Sequence, residues 1–401
     1  MIMGQQSKAC FTARPVDAGE RGFSLVELMV SMVIGLLILG AMTALFMNTS
    51  TGNREMARAN GMIENGRLAI ELLESDVVHA GYWGGYMPTF DDQTFETMAP
   101  DDEPTAIPDP CLPFATPWTA EHRGNLVNIP VQAYDAQVVT DDALCADVID
   151  PVPVPDTDIL VVRHAELCTV PGVPLDPLLN NCDEPKAVGK LYFQAARCAA
   201  ELPGYVLAAE NNLAATYPLT QVNCTTAAEK RKFVSNIYYV RDYAVTVGDG
   251  IPTLMRSTFD LAGGVLEHQP PVPMVEGIEG FRVEIGVDSL SETGGAIDYN
   301  AKVDWADPTA RTTPTNRGDG SPDGEFVSCS AAACTVAQLT NVTAVKLHVL
   351  VRSREPTPGY TDTKTYQVGD TTMGPYNDAF KRHVYVSTVR LPNVAGRRMT
   401  P

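Results

Sequence analysis

The stretch Arg21-Gly22-Phe23-Ser24-Leu25-Val26-Glu27 runs directly into Leu28–Met47, twenty residues without a charge, and no further charged side chain occurs before Arg54. A helix of about 20 apolar residues, rising about 1.5 Å per residue, crosses a bilayer, so this run is read as a membrane span. Its acid, Glu27, lies one turn inside. An ionised carboxylate near the membrane centre costs roughly 2.5 to 3.5 kcal/mol, which requires a partner for Glu27. A secretory signal peptide fits poorly: its apolar region is about 7 to 15 residues long with the cleavage site after it, whereas here the run is longer and the Gly22-Phe23 junction precedes it.

The segment Arg21-Gly22-Phe23-Ser24-Leu25-Val26-Glu27-Leu28 resembles the processing site of type IV prepilins and type II secretion pseudopilins. The resemblance implies that a prepilin peptidase cuts after Gly22 on the cytoplasmic face and methylates the new amino terminus at Phe23. It also implies that Glu27 pairs with the terminal amine of a neighbouring subunit during assembly, which supplies the missing cation. Residues 1–22 are then a leader carrying Lys8, Arg14 and Arg21 against Asp17 and Glu20, together with Cys10. That leader is longer than those of many type IV pilins. Its removal takes the net charge from −20 to −21. Such acidity argues against nucleic-acid binding, which needs basic patches that displace phosphate counterions.

Flanking charge does not orient the span, because residues 1–22 and 48–67 each carry three Lys or Arg. Cysteine usage does better. Without Cys10 eight remain: Cys111, Cys145, Cys168, Cys182, Cys198, Cys224, Cys329 and Cys334, with no C-x-x-C pair and no histidine at zinc spacing. This favours disulfides in an oxidising compartment outside the cytoplasm. Of about 105 pairings, local spacing favours Cys329 with Cys334 and leaves the others open.

No proline occurs between Pro15 and Pro88, and Ile63, Gly66, Ile70, Leu73 and Val77 recur at steps of three and four. One helix is therefore expected from Phe23 to about His79, near 85 Å long at about 1.5 Å per residue. Its first half (23–47) lies in the membrane and its amphipathic continuation (48–87) packs on the head. Glu64, Arg67, Glu71 and Glu74 read as solvated, and Gly52 and Gly61 as points where the helix loosens. Residues 88–130, rich in proline and acids, are expected to lack regular structure. Beyond them, β-type runs recur at Asp158–Val162, Phe233–Tyr243, Thr253–Phe259, Phe281–Val287, Val342–Val351 and His383–Leu391. In one, Val345, Leu347, Val349 and Val351 alternate with Lys346, His348, Leu350 and Arg352, suggesting one buried and one mostly wet face. The fold class is α+β: a long amino-terminal helix on a mainly antiparallel head spanning 88–401, with large loop insertions and room for an inserted subdomain.

Several head segments are similar to the PilW family of type IV minor pilins. They include Gly66-Arg67-Leu68-Ala69-Ile70-Glu71-Leu72-Leu73, Asp156-Thr157-Asp158-Ile159-Leu160-Val161-Val162-Arg163, Tyr238-Tyr239-Val240-Arg241-Asp242, Pro252-Thr253-Leu254-Met255-Arg256 and Val275-Glu276-Gly277-Ile278-Glu279-Gly280-Phe281. The strands at Val345–Ser353 and Arg382–Leu391 belong to the same series. The resemblance implies a type IV pilin-like fold and a subunit of the tip complex that primes pilus assembly and carries an adhesin. Its implied partners are other minor pilins, the major pilin, the adhesin, the prepilin peptidase and the inner membrane. The head would lie in the periplasm and then at the cell surface. The family pattern often has an arginine after the last strand's leucine where this chain has Leu391-Pro392-Asn393, so the docking of the last residues does not follow from it.

Two other readings belong to the same pattern: a type II secretion pseudopilin of the J kind, and a surface-binding module using the 88–130 and 290–335 loops. Asn316, Asp319, Asp323 and Glu325 offer oxygens in a glycine-rich loop, a weak Ca²⁺ candidate without the EF-hand rhythm; a plain acidic loop is the expected reading, with no metal. The tripeptide Arg317-Gly318-Asp319 is treated as chance. Six scattered histidines and the absence of hydrolase, metalloprotease and phosphate-loop motifs indicate no enzyme and no cofactor.

Overall fold

The computed structural model describes residues 22–94, 96–114, 118–136, 145, 148–149, 153–170, 182, 187–202, 204–211, 213–330 and 332–399. Cys10 and the rest of the leader before Gly22 lie outside them. Helix α1 spans Leu25–Val77. Gly52 and Gly61 remain helical, contrary to the expected loosening, because a single glycine costs only about 1 kcal/mol and the flanking turns are unbroken. The helix closes two residues before His79. His79 and Ala80 bond back only three residues, to Asp76 and Val77, and Gly81 then turns the chain at φ +72°.

The chain divides into two compact units, residues 1–57 and 58–401. In the first, the apolar side chains are exposed along the helix, Leu36, Leu37 and Phe46 among them, and the serine and threonine hydroxyls are spent on the carbonyl four residues back, as Ser31 is on Glu27. Over Leu28–Met47 the helix is apolar on every side, which suits a lipid or protein environment.

The second unit is the head. Its larger sheet contains β1 (Val131–Asp135), β2 (Asp158–Ala165), β3 (Leu191–Ala195), β4 (Tyr205–Ala209), β5 (Lys230–Arg241), β6 (Thr253–Ala262), β7 (Val265–His268) and β8 (Val272–Glu276) in the order β1-β2-β5-β3-β4, with β6 on β5 and both β7 and β8 on β6. The second sheet contains β9 (Ile278–Val287), β10 (Val327–Ser328), β11 (Val342–Arg352) and β14 (Arg382–Arg390) in the order β10-β9-β11-β14; β12 (Tyr366–Val368) and β13 (Thr371–Met373) form a separate hairpin. Every pairing is antiparallel. Gly277 joins β8 to β9 alone, at φ +82° with its α-carbon against the Arg352 carbonyl, where a side chain would not fit.

One core gathers Ala69, Leu73 and Val77 of α1, Leu160, Val162, Tyr238, Val240 and Leu254 of the larger sheet, and Phe281, Val283, Val345, Leu347 and Val349 of the smaller. The buried helical stripe is thus Gly66, Ala69, Leu73 and Val77, with Met62 beside it, whereas Ile63 is exposed. Of the four charges expected to be solvated, Glu64, Arg67, Glu71 and Glu74, only Glu74 is half-buried, accepting a hydrogen bond from Ser387. The alternation in β11 also needs correction. Its second face is not mostly wet: Leu350 is buried with Val368 and Met373 under the β12–β13 hairpin, and His348 bonds Glu284. The proline-rich segment holds more order than expected, with a 3-10 turn at Thr89–Asp91 and α2 at Ala120–Asn128, capped by Thr119 through His122 N–H. Residues 58–401 form one compact unit.

Candidate processing and assembly site

Gly22 and Phe23 precede the helix on open backbone. Nothing lies within 4 Å of the space beside Gly22, and Phe23 is 82% exposed. The helix does not begin until Leu25 because Ser24 caps it. Glu27 N–H donates to Ser24 Oγ (3.2 Å) and Ser24 N–H donates to Glu27 Oε2 (3.0 Å), a reciprocal capping box. The box satisfies two backbone donors that the helix start leaves unpaired, and it places one negative side chain where the helix dipole is positive. Glu27 thus has a partner within its own chain. The Ser-x-x-Glu spacing was visible in the sequence and would have found it. The peptide bond between Gly22 and Phe23 lies outside this cap, ahead of the helix, while Glu27 stays on the first turn, its Oε1 without a hydrogen-bond partner among the described residues.

At the far end of α1 a buried polar cluster fixes the helix to the larger sheet. Asp76 accepts from His164 Nε2 (2.9 Å), Asn236 Nδ2 (3.0 Å) and Tyr238 OH (2.9 Å). Burial alone would raise the Asp76 pKa, but these bonds and the His164 charge hold it below the usual carboxylate range. Burial likewise opposes charge on His164, and Asp76 outweighs it, leaving the imidazole raised.

The carboxyl end is docked by α3 (Pro392–Arg398), with Leu391, Val394 and Ala395 buried. Arg398, 2% exposed, donates to Asp91 (2.8 Å), Asp288 (3.2 Å), Asn341 (2.8 Å) and the Thr340 carbonyl (3.0 Å). Arg382 is bound by three carboxylates: Glu279 (2.5 Å), Asp362 (2.9 Å) and Asp378 (2.7 Å). Sequence reasoning found none of these clusters. The one available signal is an arginine at an inward position of an apolar strand, as Arg163 in β2 and Arg282 in β9 also are.

Four disulfides occur among the described residues: Cys111–Cys145, Cys168–Cys182, Cys198–Cys224 and Cys329–Cys334. The two groups of metal-type ligands, Asp109 with Cys111 and Cys145 and Glu166 with Cys168 and Cys182, contain cysteines already bonded to each other, so no thiolate is left to ligate. In the 316–325 loop the oxygens serve the backbone. Asn316 Oδ1 accepts from Asp304 N–H, Asp319 from Ser321 N–H, and Asp323 from Ser289 and Leu290 N–H. Asp319, Asp323 and Glu325 do not converge on a common point among the described residues. Arg317 is buried, donating to the Asp298 and Ala301 carbonyls, so the Arg-Gly-Asp tripeptide is not presented.

A model of the PilW family, type IV pilus-assembly protein W, matches residues 237–393, from within β5 to the start of α3. A model of the prokaryotic N-terminal methylation motif matches residues 17–43, which include Gly22, Phe23 and Glu27. Among solved structures, a type IV-like pilin from Thermus thermophilus is similar at 14% identity over 60% of this chain and 79% of that one, with a TM-score of 0.23. No curated protein matches the chain.

Proposed function

We propose that this chain, a PilW-like pilin of the prepilin type, serves as a minor pilin of a type IV pilus, one of the subunits that prime assembly, remain at the tip and present an adhesin. The observation that carries the reading is the placement of the Gly22–Phe23 bond on open chain before a capped helix whose apolar side chains are exposed, in a protein whose head carries the PilW match. The prepilin peptidase would cut there and methylate Phe23. The apolar helix and the motif fit anchoring in the inner membrane before assembly, with the head then in the periplasm and later at the cell surface. In this reading the chain acts as a structural subunit and not as an enzyme.

In the single chain the Glu27 carboxylate closes the capping box. On assembly it would exchange or share that bond with the Phe23 amine of a neighbouring minor or major pilin, a charged donor that outcompetes a neutral N–H. Intact-mass analysis of protein from pili tests the reading. A chain beginning at N-methylated Phe23 is expected, and Glu27→Leu should still be inserted and cleaved but poorly incorporated. Leaders still attached in assembled pili, or normal piliation and cross-linking by Glu27→Leu, would overturn it.

A further inference from the structure

The head carries a groove of about 560 Å³ with no part in the reading above. Trp83, Phe193 and Ala195 line its depth, where they are almost wholly buried, and its rim includes Val222, 81% exposed. Two guanidiniums enter it, Arg197 and Arg231, with Glu229 as the acid in the lining. We propose that this groove binds a ligand bearing one carboxylate on an apolar group, held by Arg197 and Arg231.

Consecutive glycines seat the two cations. A side chain built on Gly84 would meet Arg231 Nε at 2.9 Å and one built on Gly85 would meet Arg197 Nη1 at 2.2 Å. The two residues have φ of +63° and +93°, conformations that glycine adopts readily. Arg231 and Arg197 therefore lie against consecutive residues of one short piece of backbone. They are not equally engaged. Arg231 donates to the Glu166, Leu167 and Cys168 carbonyls, which anchors it. The Arg197 side chain is exposed and has no hydrogen-bond or ion-pair partner among the described residues, so its planar fork is available. The Cys198–Cys224 disulfide and the bond from Arg197 N–H to the Thr220 carbonyl (3.0 Å) hold together the two loops that form the walls.

Charge balance selects the ligand. Two cations against one acid leave room for a single negative charge, which suits a carboxylate better than a phosphate dianion. The exposed Val222 side chain at the rim suits an apolar substituent. Both a small carboxylic acid and the free carboxyl end of a polypeptide have this chemistry.

The test uses the full chain in detergent micelles and calorimetric titration with N-acetyl-phenylalanine, its amide, inorganic phosphate, and a hexapeptide ending in phenylalanine with a free or an amidated end. The free acids should bind at least 10-fold more tightly than the amides and than phosphate, and Arg197→Gln should weaken the acids at least 10-fold without shifting the unfolding temperature. A hexapeptide binding 10-fold more tightly than the amino acid identifies a polypeptide end as the source, and equal binding identifies a small acid. Amides or phosphate binding as well as the acids, unaltered binding to Arg197→Gln, or no saturation by either acid at 20 mM would overturn the proposal. Gly85→Ala is the second variant: added bulk against Arg197 should also weaken the acids, and unaltered binding there would refute the seating described above.

Discussion

The contact between α1 and β14 makes a sign-reversing prediction about two glycines in one helix. Gly→Ala on an exposed helix face stabilises by about 1 kcal/mol, because alanine loses less backbone entropy on folding. Gly61 is such a site, with nothing within 4 Å of an added β-carbon. Gly66 is not. Its β-carbon would lie 2.2 Å from Tyr385 Cε2 and 2.6 Å from Cδ2 and Cζ, against a comfortable carbon–carbon separation of about 3.5 to 4.0 Å. The ring must therefore move by more than about 1 Å. It is packed against the core and set edge-on to His383 at 4.8 Å, so moving it gives up contacts on both sides. Overpacking of this kind costs about 1 to 3 kcal/mol, and subtracting the helix-propensity gain of about 1 leaves Gly66→Ala between neutral and about 2 kcal/mol destabilising. Gly61→Ala should be more stable than the parent. Urea unfolding of the full-length chain in micelles, followed by tryptophan fluorescence, measures both. A double-mutant cycle adds a control: Tyr385→Ala should cost less in the Gly66→Ala background than in the parent. If Gly66→Ala stabilises the protein as much as Gly61→Ala does, the close seating of α1 on β14 is wrong.

Arg382→Met should destabilise the head by about 3 to 5 kcal/mol, because it leaves the buried Asp362 without its cation and takes from Glu279 one of its two, Arg352 being the other; a loss below about 1 kcal/mol in the same unfolding assay would show that Asp362 has other means of neutralisation. The Asp76–His164 pair predicts a pH dependence of defined sign. Asp76, held low, contributes stability above its unfolded pKa of about 3.9 and loses it as the pH falls through the lower folded value. His164, held high, contributes below its unfolded pKa of about 6.5 and loses it as the pH rises through the higher folded value. The parent should therefore exceed His164→Gln in unfolding temperature most at mildly acidic pH, with the gap narrowing toward pH 9. A gap that stays constant from pH 5 to 9 would contradict the raised imidazole.

What the sequence made legible follows from the distance over which each feature is decided. Helix α1, the β-runs and the Cys329–Cys334 pair depend on residues a few positions apart, and each is found within a few residues of its expected place. Even there the phase of a helix is fragile: Met62 and Ile63 are adjacent and both apolar, and only contact with the sheets decides that Met62 packs and Ile63 stays exposed. Strands β3 and β4 were missed because Leu-Tyr-Phe-Gln-Ala and Tyr-Val-Leu-Ala-Ala are too short and too uniformly apolar to show a period. The second face of β11 was misjudged because its cover, the β12–β13 hairpin, arrives from residues beyond the strand.

The polar clusters lie further from reach. Arg398 finds Asp91 across 307 positions and Arg282 finds Asp158 across 124, so neither partner follows from local pattern. Such pairs still leave one trace, an arginine where a strand should be apolar, since burying that cation is tolerated only beside an acid. Arg163 shows the limit of the rule. It is fully buried in β2, yet Nη1 donates only to the Ile129 carbonyl (3.2 Å), and Nε and Nη2 have no protein partner among the described residues. Burial lowers its pKa to about 10, in a neighbourhood of Tyr134 and Asp109 whose charges act the other way. A cation kept in the core on so few bonds is held by the packing of β1 and β2 around it, so its place in the fold is set by the sheet rather than by an acid that sequence inspection could have named.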